Sequence, residues 1–284
     1  LNTYIRRDDR LALMLDRFRT SGKKVFLLTN SEYYYTEKVM DYLLPPVKST
    51  STQHCWRDYF DIIITNACKP RFFLEGSTLR EINLETGAPK FASVPNQFQK
   101  GKVYAGGNFA LFKKLTETQG SEVMYVGDNI MHDIIQTKRS RCLWRTLLIV
   151  REIEQEINTW NSGLNEWNRV INLEYLRAKT YQNMDSSETE APNDSPIKKH
   201  IALSSDKMDA EFNKWFGSLF RRGTSESFFS NQVKRFADLY ASDCCNLLSY
   251  PSYYYFSSLP QLLPHEIEAL QNARQHHSNN NNNE

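Results

Sequence analysis

Four short apolar runs punctuate the first half of the chain, and each gives way to polar, loop-forming residues: KVFLLTNS, FDIIITNA, VMYVGDN and RTLLIV. Runs of this length, rich in β-branched residues and bounded by turn formers, predict strands. Between them, residues 36–44 and 108–115 carry apolar positions at helical spacing. The opening stretch LNTYIRRDDRLALMLDRFRTSGK reads as an amphipathic helix leading into the first strand. Alternation of strand and helix predicts a parallel α/β sheet, and such sheets bind ligands beyond the carboxyl ends of their strands. Thr29, Asn30, Ser31, Asp128 and Asp133 fall at those ends.

The pattern then changes. EGSTLREINLETGAPKFASVP has turn signals around Gly87 and Pro89 and predicts a hairpin-like excursion. From Arg151 onward, Ile153, Ile157 and Trp160 lie on one helical face, and Leu164, Trp167 and Ile171 continue it. The organisation read from these shifts is a core over residues 1–150, a helical extension over 151–182, a flexible linker over 183–200, a C-terminal helical region packing on the core over 201–268, and a disordered Asn-rich tail over 269–284. The linker reading rests on the polar, two-proline stretch NMDSSETEAPNDSPIKKH.

Composition narrows the function classes. The 35 lysines and arginines nearly balance the 33 aspartates and glutamates, so the basic stripe of a general nucleic-acid binder is missing. The five cysteines include no CxxC pair and are odd in number, which suits a reduced compartment better than a zinc ribbon or disulfide framework. No apolar stretch approaches the ~20 residues of a membrane helix. The expectation is a cytoplasmic chain without membrane or nucleic-acid partners. The aromatic-rich SYPSYYYFSSL could serve homo-oligomer contact or pack back on its own chain.

Three strand ends carry candidate chemistry. In YVGDNIMHDII, Asp128 ends a strand and Asp133 falls in the first turn of the next helix. Paired carboxylates with waters and a phosphate suit Mg²⁺, one ligating and one orienting a bound water; acidic residues at a helix start also suit the macrodipole alone. Thr29, Asn30 and Ser31 can offer hydroxyls and backbone N–H groups to a phosphate, or Asn30 or Ser31 can simply cap the following helix. Lys69, in a loop after the second strand, can screen phosphoryl charge or remain solvated.

A Thr-Asn-Ser turn, a Lys-Pro loop and then Gly-Asp with a second aspartate five residues later resemble motifs two to four of the haloacid dehalogenase phosphatases. More specifically, KVFLLTNSEYYYTEKVMDYLL, YFDIIITNACKPRFF, YVGDNIMHDI and WRTLLIV, with GSLFRRG, FFSNQVKRFADLYA and LPHE further on, resemble the cytosolic purine 5′-nucleotidase family from about Tyr4 to Glu266. The resemblance implies a HAD-like (Rossmannoid) α/β fold and Mg²⁺-dependent hydrolysis of purine nucleoside monophosphates of the IMP and GMP type. It assigns phosphate binding to Thr29, Asn30 and Ser31, stabilisation of the phospho-intermediate to Lys69, and the metal to Asp128 and Asp133. A nucleotide effector would meet Met131, Arg139, Gln232 and Phe236, where Met131 and Phe236 depart from the aromatic and the tyrosine of the family pattern.

The first motif of that family, Asp-x-Asp, occurs nowhere in this chain. In the family it lies on a central strand: one aspartate attacks phosphorus and the other moves protons. The expectation is an N-terminally truncated chain, inactive as it stands, whose sheet lacks the central strand between residues 24–28 and 123–126 and is rearranged or dependent on another piece. The alternatives are a nucleotidase-like binding or assembly module without catalysis, and a phosphatase of the same superfamily acting on sugar phosphates.

Overall fold

The computed structural model describes residues 3–48, 53–91, 94–140, 142–162, 165–182, 184–258, 260, 262–263, 265–267 and 269–270. In chain order its strands are β1 Phe26–Leu28, β2 Val47–Lys48, β3 Gln53–His54, β4 Ile62–Thr65, β5 Arg80–Glu81, β6 Tyr104–Ala105, β7 Met124–Gly127, β8 Arg145–Ile149, β9 Arg221–Arg222, β10 Ser225–Glu226 and β11 Leu239–Ala241. Its α-helices are α1 Arg10–Thr20, α2 Tyr33–Leu43, α3 Phe109–Thr116, α4 Gln136–Arg139, α5 Ile153–Asn161, α6 Asn165–Gln182, α7 Ser195–Phe212 and α8 Phe228–Phe236. All four apolar runs are strands, and both segments read as helical between them are helices.

These strands form two principal sheets. One has the order β1-β4-β6-β5, with β1, β4 and β6 parallel and β5 antiparallel at its edge. The other has the order β11-β8-β7 and is wholly parallel. The first sheet therefore ends in β1 and the second in β7, the two strands expected to flank a missing central neighbour. Among the described residues no ladder joins β1 to β7; rings do. Phe26 on β1 stacks 6.3 Å from Tyr125 on β7, and both rings pack on Trp144 at 5.7 and 5.5 Å. Packing both rings on one buried tryptophan gives the half-sheets a common core with Leu28, Ile64, Phe72, Phe73 and Phe112.

Alternation along β7 leaves Tyr125 buried while Met124 and Val126 remain 41% exposed. Parallel strands normally have both faces covered, so this strand is only half enclosed. The excursion after β5 is the expected hairpin: Gly87 turns at φ 69°, Ile82 bridges Pro89, and Lys90 N–H donates to the Glu81 carbonyl.

Two boundaries differ from the sequence reading. Residues 195–200, expected in a flexible linker, are the first turns of α7, with a proline in the opening turn where its missing N–H costs nothing. Asp194 fixes that start: its buried carboxylate accepts from Arg177 and Tyr181 of α6 and pairs with Lys198 of α7 at 2.9 Å. The segment after residue 200 is not purely helical either. Arg221–Glu226 is a hairpin, and β11 extends the second sheet beside β8. Asp238 pins β11 there by accepting from the Thr146 N–H and hydroxyl and pairing with Lys138.

The chain divides into two compact units, residues 1–249 and 250–284. In the second, Tyr250, Tyr254 and Phe256 pack on one another at 4.7–4.9 Å, and Tyr253 and Tyr255 point to solvent. The Asn-rich end of the predicted tail lies outside the described residues. No helix among the described residues is long and apolar enough to cross a membrane.

Candidate active site

The site is assembled from three loops at the carboxyl ends of β1, β4 and β7. The first two are laced together by backbone and amide hydrogen bonds. Ala67 N–H donates to the Thr29 carbonyl at 3.0 Å, and Asn66 N–H to that of Ser31 at 2.8 Å. Asn30 spends its whole side-chain amide on Lys69: its Oδ1 accepts from the Lys69 N–H at 2.5 Å, and its Nδ2 donates to the Lys69 carbonyl at 3.0 Å. Thr29 Oγ1 accepts from the Ser31 N–H at 3.1 Å. Neither Asn30 nor Ser31 caps α2, whose N-cap position is Glu32.

To make this turn the loop after β4 adopts an unusual backbone. Asn66 and Cys68 both lie in the left-handed region, at φ 47° and 56°, which asparagine tolerates but which costs a residue such as cysteine about 1–2 kcal/mol. Such strain persists only where surrounding contacts over-determine it. Here it delivers Lys69 to the third loop.

Lys69 Nζ donates to Asp133 Oδ1 at 2.9 Å and to the Tyr125 hydroxyl at 2.8 Å, and the Tyr125 hydroxyl in turn donates to Asp133 Oδ1 at 3.1 Å. Asp133 Oδ2 accepts from the Asn129 N–H at 3.2 Å. Asp133 is 4% exposed, so all of its contacts are sheltered from water and its charge is matched by the ammonium. Burial and then the negative charge of Asp133 hold the Tyr125 phenol well above the usual tyrosine range, so it remains a proton donor.

Local sequence explains how Asp133 gets there. Asn129 starts the next helix by accepting from the N–H groups of Met131 and His132. That helix, Ile130–Ile135, is a π-helix, a widened turn common at functional sites. It turns Asp133 back against the end of β7, where only glycine fits: a Cβ on Gly127 would lie 2.5 Å from the Asp133 Cβ and 2.8 Å from its Oδ2.

Asp128 differs from Asp133. It is exposed, and among the described residues it has no hydrogen-bond or ion-pair partner. The donor set therefore fits a hard cation in an asymmetric way: Asp128 is a free carboxylate available for direct ligation, and Asp133, already accepting three donors, is suited to orienting a water. Among the described residues the tightest group of potential ligands is elsewhere, at Asp243, Cys244 and Cys245. Its carboxylate is engaged by Arg10 and Arg151 and accepts from the Cys245 N–H.

Of the effector candidates, Arg139 and Phe236 meet, the guanidinium lying 5.8 Å from the ring centre, and Arg235 approaches the same ring at 5.3 Å. Ile134 and Val233 bury the contact between their two helices. No hydrogen bond, ion pair or ring contact among the described residues joins Met131 or Gln232 to that pair. Sequence reasoning missed Tyr125, Asn129 and Gly127; the only available signal for Tyr125 was its inward position two residues before Gly127 on an alternating strand.

Comparison with known proteins shows which family the sequence belongs to. The chain is 32% identical over 270 residues to a 5′-nucleotidase domain-containing protein of Dictyostelium discoideum, covering 93% of this chain and 44% of that protein. It is 32% identical over 271 residues to 5′-nucleotidase domain-containing protein 2 of Homo sapiens, covering 94% and 49%, and equally to its Rattus norvegicus counterpart, covering 94% and 46%. The chain thus spans about half the length of the curated relatives it matches. The model of the 5′ nucleotidase family matches residues 1–268, and on that match the chain belongs to the 5′-nucleotidase family.

Proposed function

We propose that the protein to which this chain belongs is a Mg²⁺-dependent 5′-nucleotidase that hydrolyses purine nucleoside monophosphates of the IMP and GMP type, and that this chain supplies the half of the site that holds phosphate and metal. One observation supports the reading: Lys69 crosses from the loop after β4 to Asp133 after β7, while Asp128, directly after β7, is exposed and without a hydrogen-bond or ion-pair partner among the described residues.

An ammonium has three N–H donors. Two of those on Lys69 are used by Tyr125 and Asp133, so one remains to meet a phosphate oxygen as charge builds during transfer. The Thr29 hydroxyl keeps its proton free to donate, since its oxygen acts as acceptor for Ser31. Asn30 acts indirectly, by fixing the backbone of Lys69. Mg²⁺, held by Asp128 with Asp133 orienting its water, would neutralise phosphate charge.

The nucleophile would come from a further strand seated between β1 and β7, each of which pairs on one side only among the described residues. Such a strand would bring an Asp-x-Asp to the same carboxyl edge. One carboxylate would attack phosphorus, forming an aspartyl-phosphate as the nucleoside 5′-oxygen leaves. The other would protonate that oxygen and then take a proton from the hydrolytic water. Phosphate release from IMP, GMP and glucose 6-phosphate by the longest natural form of the protein tests the reading. Release from the two nucleotides that stops on chelation of Mg²⁺ and in Asp128→Asn supports it; equal turnover by Asp128→Asn, or preference for the sugar phosphate, rejects it.

A further inference from the structure

We propose that Tyr125 is a positioning residue of this site: its hydroxyl holds the Lys69 ammonium on Asp133 and thereby keeps Asp128 free for a divalent cation. The kinetic part of this inference rests on the nucleotidase reading above.

The contacts of Tyr125 separate its ring from its hydroxyl. The ring packs on Phe26, Phe73 and Trp144 at 6.3, 5.9 and 5.5 Å, work that a phenylalanine ring would do equally well. Only the hydroxyl distinguishes the two side chains. It is buried, it accepts from Lys69 Nζ at 2.8 Å and it donates to Asp133 Oδ1 at 3.1 Å, so it forms one side of a closed triangle with the ion pair.

A lysine needs such a guide. Its ammonium is a compact point charge on a flexible stem, with little directional preference of its own. Asp133 is its partner, and Asp128 stands five residues earlier on the same loop, exposed and without a hydrogen-bond or ion-pair partner among the described residues. An ammonium that swung to Asp128 would neutralise the one carboxylate that is unpaired and exposed, and would compete there with a cation. The Tyr125 hydroxyl favours the position on Asp133 because there Lys69 meets hydroxyl and carboxylate together, and the hydroxyl itself bonds the same carboxylate oxygen.

The test is Tyr125→Phe in the longest natural form of the protein, followed in two ways. Kinetically, kcat falls by about tenfold or more, the loss expected from one hydrogen bond to a charged group, the Mg²⁺ concentration for half-maximal rate rises, and KM for IMP stays within about twofold. In proton–nitrogen spectra of lysine ammonium groups, the Lys69 resonance, assigned by its loss in Lys69→Arg, shifts or broadens while the backbone spectrum away from the site is kept. If the wild-type protein releases no phosphate, the nucleotidase reading fails and the Lys69 resonance alone decides this inference. An unmoved Lys69 resonance overturns the proposal, as does an unchanged kcat in a protein that is active before substitution.

Discussion

Gly127 is where the backbone of β7 and the Asp133 carboxylate come closest. A methyl group there would overlap the Asp133 Cβ, Cγ and Oδ2 at 2.5–2.8 Å, and Asp133 cannot retreat without abandoning Lys69. Gly127→Ala is therefore expected to destabilise the fold by about 1–3 kcal/mol, the usual cost of overpacking a filled site. Chemical denaturation measures this, and an unchanged midpoint would show that the approach is looser than described. Strand-end chemistry singled out Lys69, Asp128 and Asp133; the structure brings Lys69 and Asp133 together at 2.9 Å and leaves Asp128 exposed after β7. Asn30 was expected to meet a phosphate, yet its amide is bound to the Lys69 backbone, a long-range pairing that spacing cannot reveal. Tyr125 looked like one more apolar strand position.

Among the elements, α6 and α7 depend on one buried carboxylate. Lys198 first, then Arg177 and Tyr181, hold the Asp194 carboxyl down to about 2, below its ordinary value of 3.8. A carboxylate held below its unfolded value contributes stability that is fully present above about pH 3.8 and is lost as the pH falls toward 2. Thermal unfolding followed across that window should show wild-type stability declining more steeply than that of Asp194→Asn; parallel declines would remove Asp194 from the account. The same carboxylate explains why the linker predicted over residues 183–200 ends early. Its polar composition was real, but helix 195–212 is started by partners on α6 that no local window contains. β11 escaped notice for a related reason. Three residues, Leu239–Ala241, show no periodicity, and their strand conformation follows from pairing with β8 and from Asp238 on Thr146 and Lys138.

For unit 1 as a whole, the parallel α/β fold was legible from the four apolar runs, and so was the place of its interruption. The two principal sheets stop at β1 and β7 and are joined by the rings of Phe26, Tyr125 and Trp144. Edge strands offer unpaired backbone groups as templates for another strand, and Met124 and Val126 leave one face of β7 partly uncovered. What could not be read was how the half-sheets would hold together, because tertiary ring packing carries no signature in spacing. Under the proposed function the chain would carry a half-site, to be completed by a strand seated between β1 and β7. The most direct test compares, mole for mole, Mg²⁺-dependent phosphate release from IMP by this chain alone and by the longest natural form of the protein. The account predicts turnover by the longer protein and none by the chain; equal turnover by both would contradict it.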